Sequence, residues 1–561
     1  MANDFPWRAK YDEGVPHSIV YPAFPYTHFL EDAAKKYPNK TCTIFKGARI
    51  SYREINEASD RLAAGLASLG VKKGVRVGIF MPNTPQFVIA YYAILKLGAI
   101  VTATSPLYSA KEIEHQANDA GMELMLVMSN FYDKVKEVQP HTHIRTVVVT
   151  NIKEALPPVT SLLFTLLKEK KSGFRIELAA GDHWMQDLIN AHKPSDRPSV
   201  EVSGDDPALF QYSGGTTGVP KAAIALHRNL VANTLQIKAW MTTLEEGNEI
   251  FLVAIPLFHA YGMIAGLGFC IAASSTMVLV PNPRDLDDVL THIQKYKATI
   301  FPGVPTLYNA INKHPDVRAG KYNLHSIKAC ISGSAALLRE TKNTFESLTG
   351  GVVFEGYGLS EAPTATHANP VKGENKDGSI GMPLPDVEIR IVSLDDGQTI
   401  LGQGEIGEML IRGPQVMAGY HNMPMETANT LRDGWLYTGD IVKMDSDGFF
   451  FIVDRKKELI KPGGFQVWPR EVEEVLQSHP KICEVGVAGV PDPYRGETVK
   501  AWCVLHDGQQ ATEEEIRAFC KDQMASYKVP GQIEFVTELP KSNVGKILRR
   551  ELVRMHIEKN K

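Results

Sequence analysis

Short apolar runs alternate with longer stretches of helical period through the first two thirds of the chain. Residues 75–81 predict a strand, 85–97 a helix with a proline near its start, and 100–104 the next strand. The runs LMLVM at 124–128 and TVVVT at 146–150 continue the theme. Later come 298–301, 327–332 and 352–355, each ending in a loop that bears Gly or Pro. This alternation predicts an α/β fold of stacked layers with largely parallel sheets. Ligands in such folds sit at the carboxyl ends of strands. From 385 to 453 the pattern turns β-rich, with frequent Gly-Asp turns, and suggests a small barrel or meander. Beyond DRKK at 454–457 the reading is helix at 470–478, strands at 485–489 and 499–505, and helix at 513–524. The expected organisation is therefore a large N-terminal unit over 1–454, with a β-barrel-like subdomain, and a small α+β domain over 455–561. The boundary is expected at 454–457.

Two segments complicate this pattern. From Phe251 to Val280 there is no Asp, Glu, Lys or Arg, a stretch long enough to span a bilayer. Pro256, His259 and several glycines interrupt it, so it reads instead as strand, loop, Gly-rich apolar helix and strand, a buried βαβ unit. The run LLFTLLKEKK at 162–171 is apolar and then basic. It reads either as a peripheral membrane contact or as an ordinary helix end with lysines in its last turn. The first residues, MANDFPWRAKYDEGVPH, carry no apolar signal-like core.

Composition adds exclusions. At 561 residues the chain can bury a large core, and 44% hydrophobic with 22% charged residues is ordinary for a globular protein. A net charge of -4 gives no reason to expect nucleic acid as a partner. Six scattered cysteines without a CxxC pair fit free thiols in a reducing, cytoplasmic setting. His141 and His143 lack the companions a zinc site needs.

The strongest candidate chemistry is QYSGGTTGVPK at 211–221, directly after an apolar run. Gly214, Gly215 and Gly218 let backbone N–H groups approach a polyphosphate, Ser213, Thr216 and Thr217 add donors, and Lys221 adds charge. It is not a Walker A loop, since Pro220 and Ala222 stand where that motif needs Gly and Ser or Thr. SGSAA at 332–336, with Gly333, Ser334 and Ala335, would let a flat ring lie against the backbone. EGYGLSE at 355–361 offers Glu355, Gly356, Tyr357, Gly358 and Ser360, and ends in Glu361. A carboxylate beside a phosphate loop implies a screening cation, so Glu361 suggests Mg²⁺. DGWLYTGD ends in Asp440, suited to accept both hydroxyls of a ribose. PKSNVGKILRR at 540–550 places Lys546 after a glycine. Singly, Tyr357 reads equally as a core tyrosine, Glu361 as a solvated helix-start charge, Asp440 as a turn former and Lys546 as a surface lysine.

Together and in this order the motifs resemble the acyl-adenylate-forming superfamily, over nearly the whole chain, and most closely its long-chain fatty-acid–CoA ligases. The block DGWLYTGDIVKMDSDGFFFIVDRKK at 433–457 and the tail LPKSNVGKILRREL are similar to that subgroup. Ser213, Gly214, Ser360 and Ala222 depart from the commoner residues, but Ser213 and Ser360 keep hydroxyls.

The resemblance implies an ATP-dependent ligase that joins a fatty acid, expected to be long-chain, to coenzyme A through an acyl-adenylate. A medium-chain or aromatic acid is the alternative, and a non-catalytic binding module the distant one. By resemblance Lys546 bridges the carboxylate and the α-phosphate, and Lys221 and its loop orient the outer phosphates. Mg²⁺ is held near Glu361 with Ser213 or Thr216. Ser334, Ala335 and Tyr357 face adenine, and Asp440 and Arg455 hold ribose. The small domain is implied to be mobile, swinging about Lys457 to bring Gly463 and Gly464 inward for the second step. His259 would stand at the mouth of the acyl pocket, or be a satisfied core histidine. A homodimer is compatible with the reading, and the implied location is cytoplasmic or peripheral on the inner face of a membrane.

Overall fold

The computed structural model describes residues 5–213, 220–462, 465–542 and 546–560. The chain divides into two compact units, one of 1–388 with 412–434, the other of 389–411 with 435–561. The barrel-like segment thus belongs with the C-terminal residues, and the expected hinge at 454–457 falls inside the second unit.

The first unit holds two sheets. One has eight strands, with the parallel set of Pro207–Ser213, Ile100–Ala103, Arg76–Phe80, Leu124–Met128, Thr146–Thr150 and His183–Trp184 in spatial order. Lys221–Leu226 and Gly419–Tyr420 extend its edge antiparallel. The other sheet runs from Ala48–Ser51 through Thr41–Phe45 and Thr276–Leu279 to Ile250–Val253. Bridges at Ile300 carry it on to Ala329–Ser332 and Val352–Leu359. The strand expected at 298–301 is therefore reduced to a single bridging residue.

The helix Pro85–Lys96 lies against Arg76–Phe80 and Ile100–Ala103, and every one of its residues is buried. Its sequence is apolar nearly all round, which suits a helix covered on every side. Thr84 caps it, accepting from the Phe87 N–H at 3.4 Å, and Pro85 opens it. Its one charge, Lys96, is neutralised by Asp60 at 2.7 Å and also donates to Ser59 at 2.8 Å. Asn83, just before this helix, ties the two sheets. Its Nδ2 donates to the carbonyls of Val253 (3.1 Å) and Ile255 (2.9 Å), and its Oδ1 accepts from the Leu257 N–H (2.8 Å).

The uncharged stretch is core, as expected. Ile250–Val253 and Thr276–Leu279 pair in parallel, and the segment between them is a buried π-helix, Gly262–Gly268, followed by a turn of α-helix, Phe269–Ala272. Gly268 is required there, because a Cβ would lie 1.8 Å from the Tyr26 hydroxyl. Among the described residues no helix is long and apolar enough to cross a membrane.

The second unit holds the meander Gly407–Arg412, Trp435–Met444 and Phe450–Arg455, all antiparallel. It also holds the hairpin Ile482–Asp492 and Gly496–Leu505, with Gln532–Phe535 parallel to it. Alternation sorts this small sheet's faces. Val499, Ala501 and Cys503 pack with Val472, Leu476 and Ile516. Trp502 packs on the other face with Leu539 and Leu552.

Two fully buried histidines of the first unit set an acid limit. Burial holds His227 down at about 4 and His367 at about 3, against roughly 6.5 when unfolded. Between those values the unfolded chain takes up protons that the folded chain refuses, so stability falls as pH drops. The thermal midpoint should decline steadily from about pH 6.5 toward 4, and His227→Gln or His367→Gln should flatten that slope. An unchanged slope in both variants would remove these imidazoles as the cause.

Candidate active site

The strands that flank the phosphate-loop motif form an antiparallel pair. Pro207–Ser213 and Lys221–Leu226 pair antiparallel, with Ser213 opposite Lys221 closing the loop. A strand, not a helix, follows the loop, in keeping with the departure from Walker A at Pro220 and Ala222. Gly214, Gly215, Thr216, Thr217 and Gly218 lie outside the described residues, as do Gly463, Gly464 and the side chain of Ser213.

Lys221 pairs with Glu426, and its ammonium stands over the Tyr420 ring, 5.4 Å from the centroid. The Tyr420 hydroxyl donates to Glu361 Oε1 at 2.8 Å. One tyrosine thus links the loop lysine to the carboxylate expected at the metal. Burial, reinforced by the Glu361 charge, holds the Tyr420 phenol far above its ordinary value, so it stays a donor. Tyr420 is in place because Gly419–Tyr420 adds as an edge strand to Lys221–Leu226, with Tyr420 opposite Ala223. Sequence reasoning missed Tyr420 and Glu426. Their only signal was a short Gly-Tyr step before a proline-started helix, Pro424–Thr430.

The EGYGLSE motif was expected in a loop after a strand. It is instead the strand's own continuation. Val352–Leu359 pairs in parallel with Ala329–Ser332 as far as Glu355, then changes partner and runs antiparallel to Ala362–Ala368. Leu359 faces Ala362, so Ser360 and Glu361 form the two-residue tip. Glu361 is a hairpin-tip charge, not a helix-start one. Gly358 must be glycine, because a Cβ would lie 1.3 Å from the Thr364 carbonyl oxygen. Tyr357 is buried and meets His367 edge-on at 5.7 Å.

Glu355 is structural in this geometry. It is buried, and its Oε2 accepts the Leu337 N–H at 3.0 Å, which anchors the end of the neighbouring SGSAA loop. Ser334 and Ala335 are exposed on that loop, and Ser334 has a positive φ of 71°. A Cβ on Gly333 would come within 3.3 Å of the Tyr261 ring, whose hydroxyl donates to the Ile331 carbonyl at 2.6 Å. Tyr261 therefore packs beneath the SGSAA turn, and the same Gly333 position lies 3.7 Å from the Gly356 carbonyl oxygen of the EGYGLSE strand. His259 is partly buried two residues upstream of Tyr261. Its Nδ1 accepts the Tyr261 N–H at 3.4 Å, and burial lowers its pKa to about 4, so it is neutral at pH 7.

The second unit assembles its own group. Asp440 and Arg455 face each other across neighbouring strands, and Arg455 Nε donates to Asp440 Oδ1 at 2.8 Å. Lys546 makes no salt bridge among the described residues. Burial first, then the nearby Arg455, lower its pKa to about 8, with Glu458 and Asp440 opposing. Its backbone is fixed by Ser542, whose N–H donates to Lys546 O at 2.8 Å. Lys457 is exposed in the turn Lys456–Glu458. That turn is fastened by Arg549, which sequence reasoning also missed. Arg549 grips Glu473 with two bonds of 3.0 and 2.6 Å, reaches Asp454 at 3.0 Å, and pairs with Glu458.

A cavity of about 570 Å³ in the first unit is lined by Arg76, Ile100, Asp119, Glu123 and Arg145. It opens at the amino ends of the parallel strands, with Phe210 and His421 also on its wall.

The ordered motifs extend to the chain as a whole. A family model for AMP-binding enzymes matches residues 30–421, and one for the AMP-binding enzyme C-terminal domain matches 471–546. The chain belongs to the AMP-binding enzyme family. A long-chain-fatty-acid–CoA ligase of Bacillus subtilis (strain 168) is 42% identical over 559 residues, covering 100% of this chain and 99% of that protein. One from Salmonella typhimurium is 36% identical over 551 residues, covering 97% of each. Among solved structures, an anthranilate CoA ligase in complex with anthranoyl-AMP superposes with a TM-score of 0.82 at 28% identity, covering 95% of this chain and 97% of that one. The stacked α/β architecture with a small C-terminal domain is shared with this AMP-binding member.

Proposed function

We propose that this protein is an AMP-forming acid–thiol ligase that joins a long-chain fatty acid to coenzyme A. ATP and the acid give acyl-AMP and pyrophosphate, and the CoA thiol then displaces AMP. Full-length relatives named for long-chain fatty acids support the acid class. The observation that carries the mechanism is Lys546, a desolvated ammonium without an ion-pair partner among the described residues. With a pKa of about 8 it is still mainly cationic at pH 7. Such a cation is suited to bring two anions, carboxylate and α-phosphate, together. In this reading Lys221 and the 214–218 backbone orient the outer phosphates, Ser334, Ala335 and Tyr357 line the adenine, and Asp440 with Arg455 holds the ribose. His259, neutral, borders the acyl end.

Glu361 fits a Mg²⁺ site. Among the described residues no cluster of three or more ligating side chains exists. Mg²⁺ in nucleotide sites asks for less, one or two carboxylates with phosphate oxygens and water. Tyr420 occupies Oε1 of Glu361, and Oε2 has no partner among the described residues. Ser213 or Thr216 would complete the protein's share. Bound there, the ion would offset phosphate charge during adenylation. The second step is assigned to a swing of the residues beyond 454–457 about Lys457, with Gly463 and Gly464 letting the pantetheine arm pass.

AMP release from a panel of acids of increasing chain length, with and without CoA, tests the function. Long-chain acids should be best and turnover should need CoA. Lys546→Ala should lose adenylation by about 10²–10³-fold or more while still thioesterifying supplied acyl-AMP. Equal losses in both half-reactions would refute the role given to Lys546.

Glu361→Gln keeps the shape and the Tyr420 contact but removes the charge. The Mg²⁺ concentration giving half-maximal adenylation should rise severalfold, and an unmoved midpoint would place the ion elsewhere.

Lys457→Pro fixes φ near -65° and removes an N–H. A hinge so frozen should leave pyrophosphate exchange largely intact and let acyl-AMP accumulate, undischarged by CoA. Normal acyl-CoA synthesis by the folded variant would overturn the hinge.

A further inference from the structure

The helix Pro158–Leu167 is amphipathic in the wrong sense for a globular protein. Val159, Leu162, Leu163, Leu166 and Leu167 recur at i, i+3, i+4, i+7 and i+8, the spacing of a core-facing stripe. Here that stripe faces solvent. Val159 is 72% exposed, Leu162 60%, Leu163 51%, Leu166 71% and Leu167 68%, and the helix has no buried residue. The inward side is Ser161, Phe164 and Thr165, of which only Phe164 makes a ring contact, edge-on to Phe174 at 5.4 Å.

The stripe is held out by a polar anchor beneath it. Glu169 is buried, and it accepts from Asn151 Nδ2 at 3.0 Å and Lys153 Nζ at 2.6 Å, with Arg175 at 3.5 Å. Asn151 also donates to the Phe174 carbonyl at 3.0 Å. This network closes the turn after the helix from both sides. It fixes which way the leucines point, so their exposure is built rather than incidental.

The flanking charge selects the occupant. Residues 158–175 hold four basic side chains, Lys168, Lys170, Lys171 and Arg175, against one acidic residue, the buried and neutralised Glu169. The three lysines are exposed and follow directly on the leucine stripe. An apolar stripe bordered by unopposed cations complements a bilayer interface, with acyl chains beside anionic headgroups. A second protein surface would need to supply both an apolar groove and an acidic rim.

We propose that Pro158–Leu167, with Lys168, Lys170 and Lys171, is a membrane-docking element that inserts its leucine stripe into an anionic lipid surface. The helix is too short to span and lies in the interface plane. This surface is distinct from the residues assigned to the ligase reaction, so it stands or falls apart from that reading.

The test is co-sedimentation of the full-length protein with vesicles of phosphatidylcholine and phosphatidylglycerol in equal parts, and with phosphatidylcholine alone. The protein should bind the anionic vesicles, more weakly as salt rises. The double variant Leu162→Asp, Leu166→Asp and the triple variant Lys168→Glu, Lys170→Glu, Lys171→Glu should each lose at least about tenfold in partitioning. AMP release with a soluble short-chain acid should be unchanged, which certifies the fold. Wild type left in the supernatant would overturn the proposal, as would variants that bind as well as wild type. So would a wild-type dimer made monomeric by the leucine variant without any vesicle binding, since a second copy would then be the occupant.

Discussion

The side chain of Asn83 is the tie on which the first unit's geometry depends. Three hydrogen bonds join the end of one sheet's strand, Arg76–Phe80, to the backbone just beyond Ile250–Val253 of the other. Both strands end there, so the carboxyl edges of the two sheets open on the same side. Helix Pro85–Lys96 follows directly on this tie, with every residue buried. A buried polar group with all its bonds made is costly to displace, since each bond broken would strand a desolvated partner. The His259 segment, which continues from Leu257, starts from this tie.

Charge is handled differently in the two units. In the first, Lys221 is partnered by Glu426 and covered by the Tyr420 ring, while Glu361 is held by the hydroxyl of that same ring. The cation and the carboxylate are kept apart by an aromatic spacer, so neither quenches the other. In the proposed reading a phosphate engages the lysine, and a metal the Glu361 oxygen that has no partner among the described residues. In the second unit Arg549 absorbs three carboxylates, from Asp454, Glu458 and Glu473. Lys546, three residues earlier, makes no salt bridge among the described residues. Burial, and then the neighbouring Arg455, lower its pKa, and the charges of Glu458 and Asp440 offset this only in part.

Much of this was legible in the sequence. Leu124–Met128 and Thr146–Thr150 fall where their apolar runs predict, and the uncharged 251–280 stretch is the buried βαβ unit its Pro, His and Gly residues implied. Periodicity reports which faces are buried, and these segments are almost wholly buried. Partners are what periodicity does not report. Tyr420, Glu426 and Arg549 act across separations of 59, 205 and 95 residues, and nothing local in their sequence differs from ordinary surface chemistry. The strand at 298–301 failed for a related reason. Only Ile300 has neighbours on both sides to bridge, so local β-propensity found a single pairing site. The 162–171 run was legible in composition but not in direction, because only the Glu169 anchor decides that the leucines face out.

The glycines of the motifs carry a further lesson. In sequence they suggest loops soft enough to wrap a ligand. In the structure Gly358 is glycine because the strand it sits on passes the Thr364 carbonyl at a distance no side chain tolerates. Gly268 is glycine because the Tyr26 hydroxyl occupies the space. Both are devices of close packing, and close packing removes freedom. The EGYGLSE segment is accordingly a paired hairpin whose first residue, Glu355, accepts the Leu337 N–H. That rigidity suits the chemistry. Groups that must stabilise charge as it develops are most effective when already aimed, since reorganising them during reaction costs part of what they supply. In the proposed reading, a hairpin tip fixed by backbone pairing holds Glu361 in place before nucleotide binds, and the tyrosine that bonds to it is fixed by an edge strand of the neighbouring sheet.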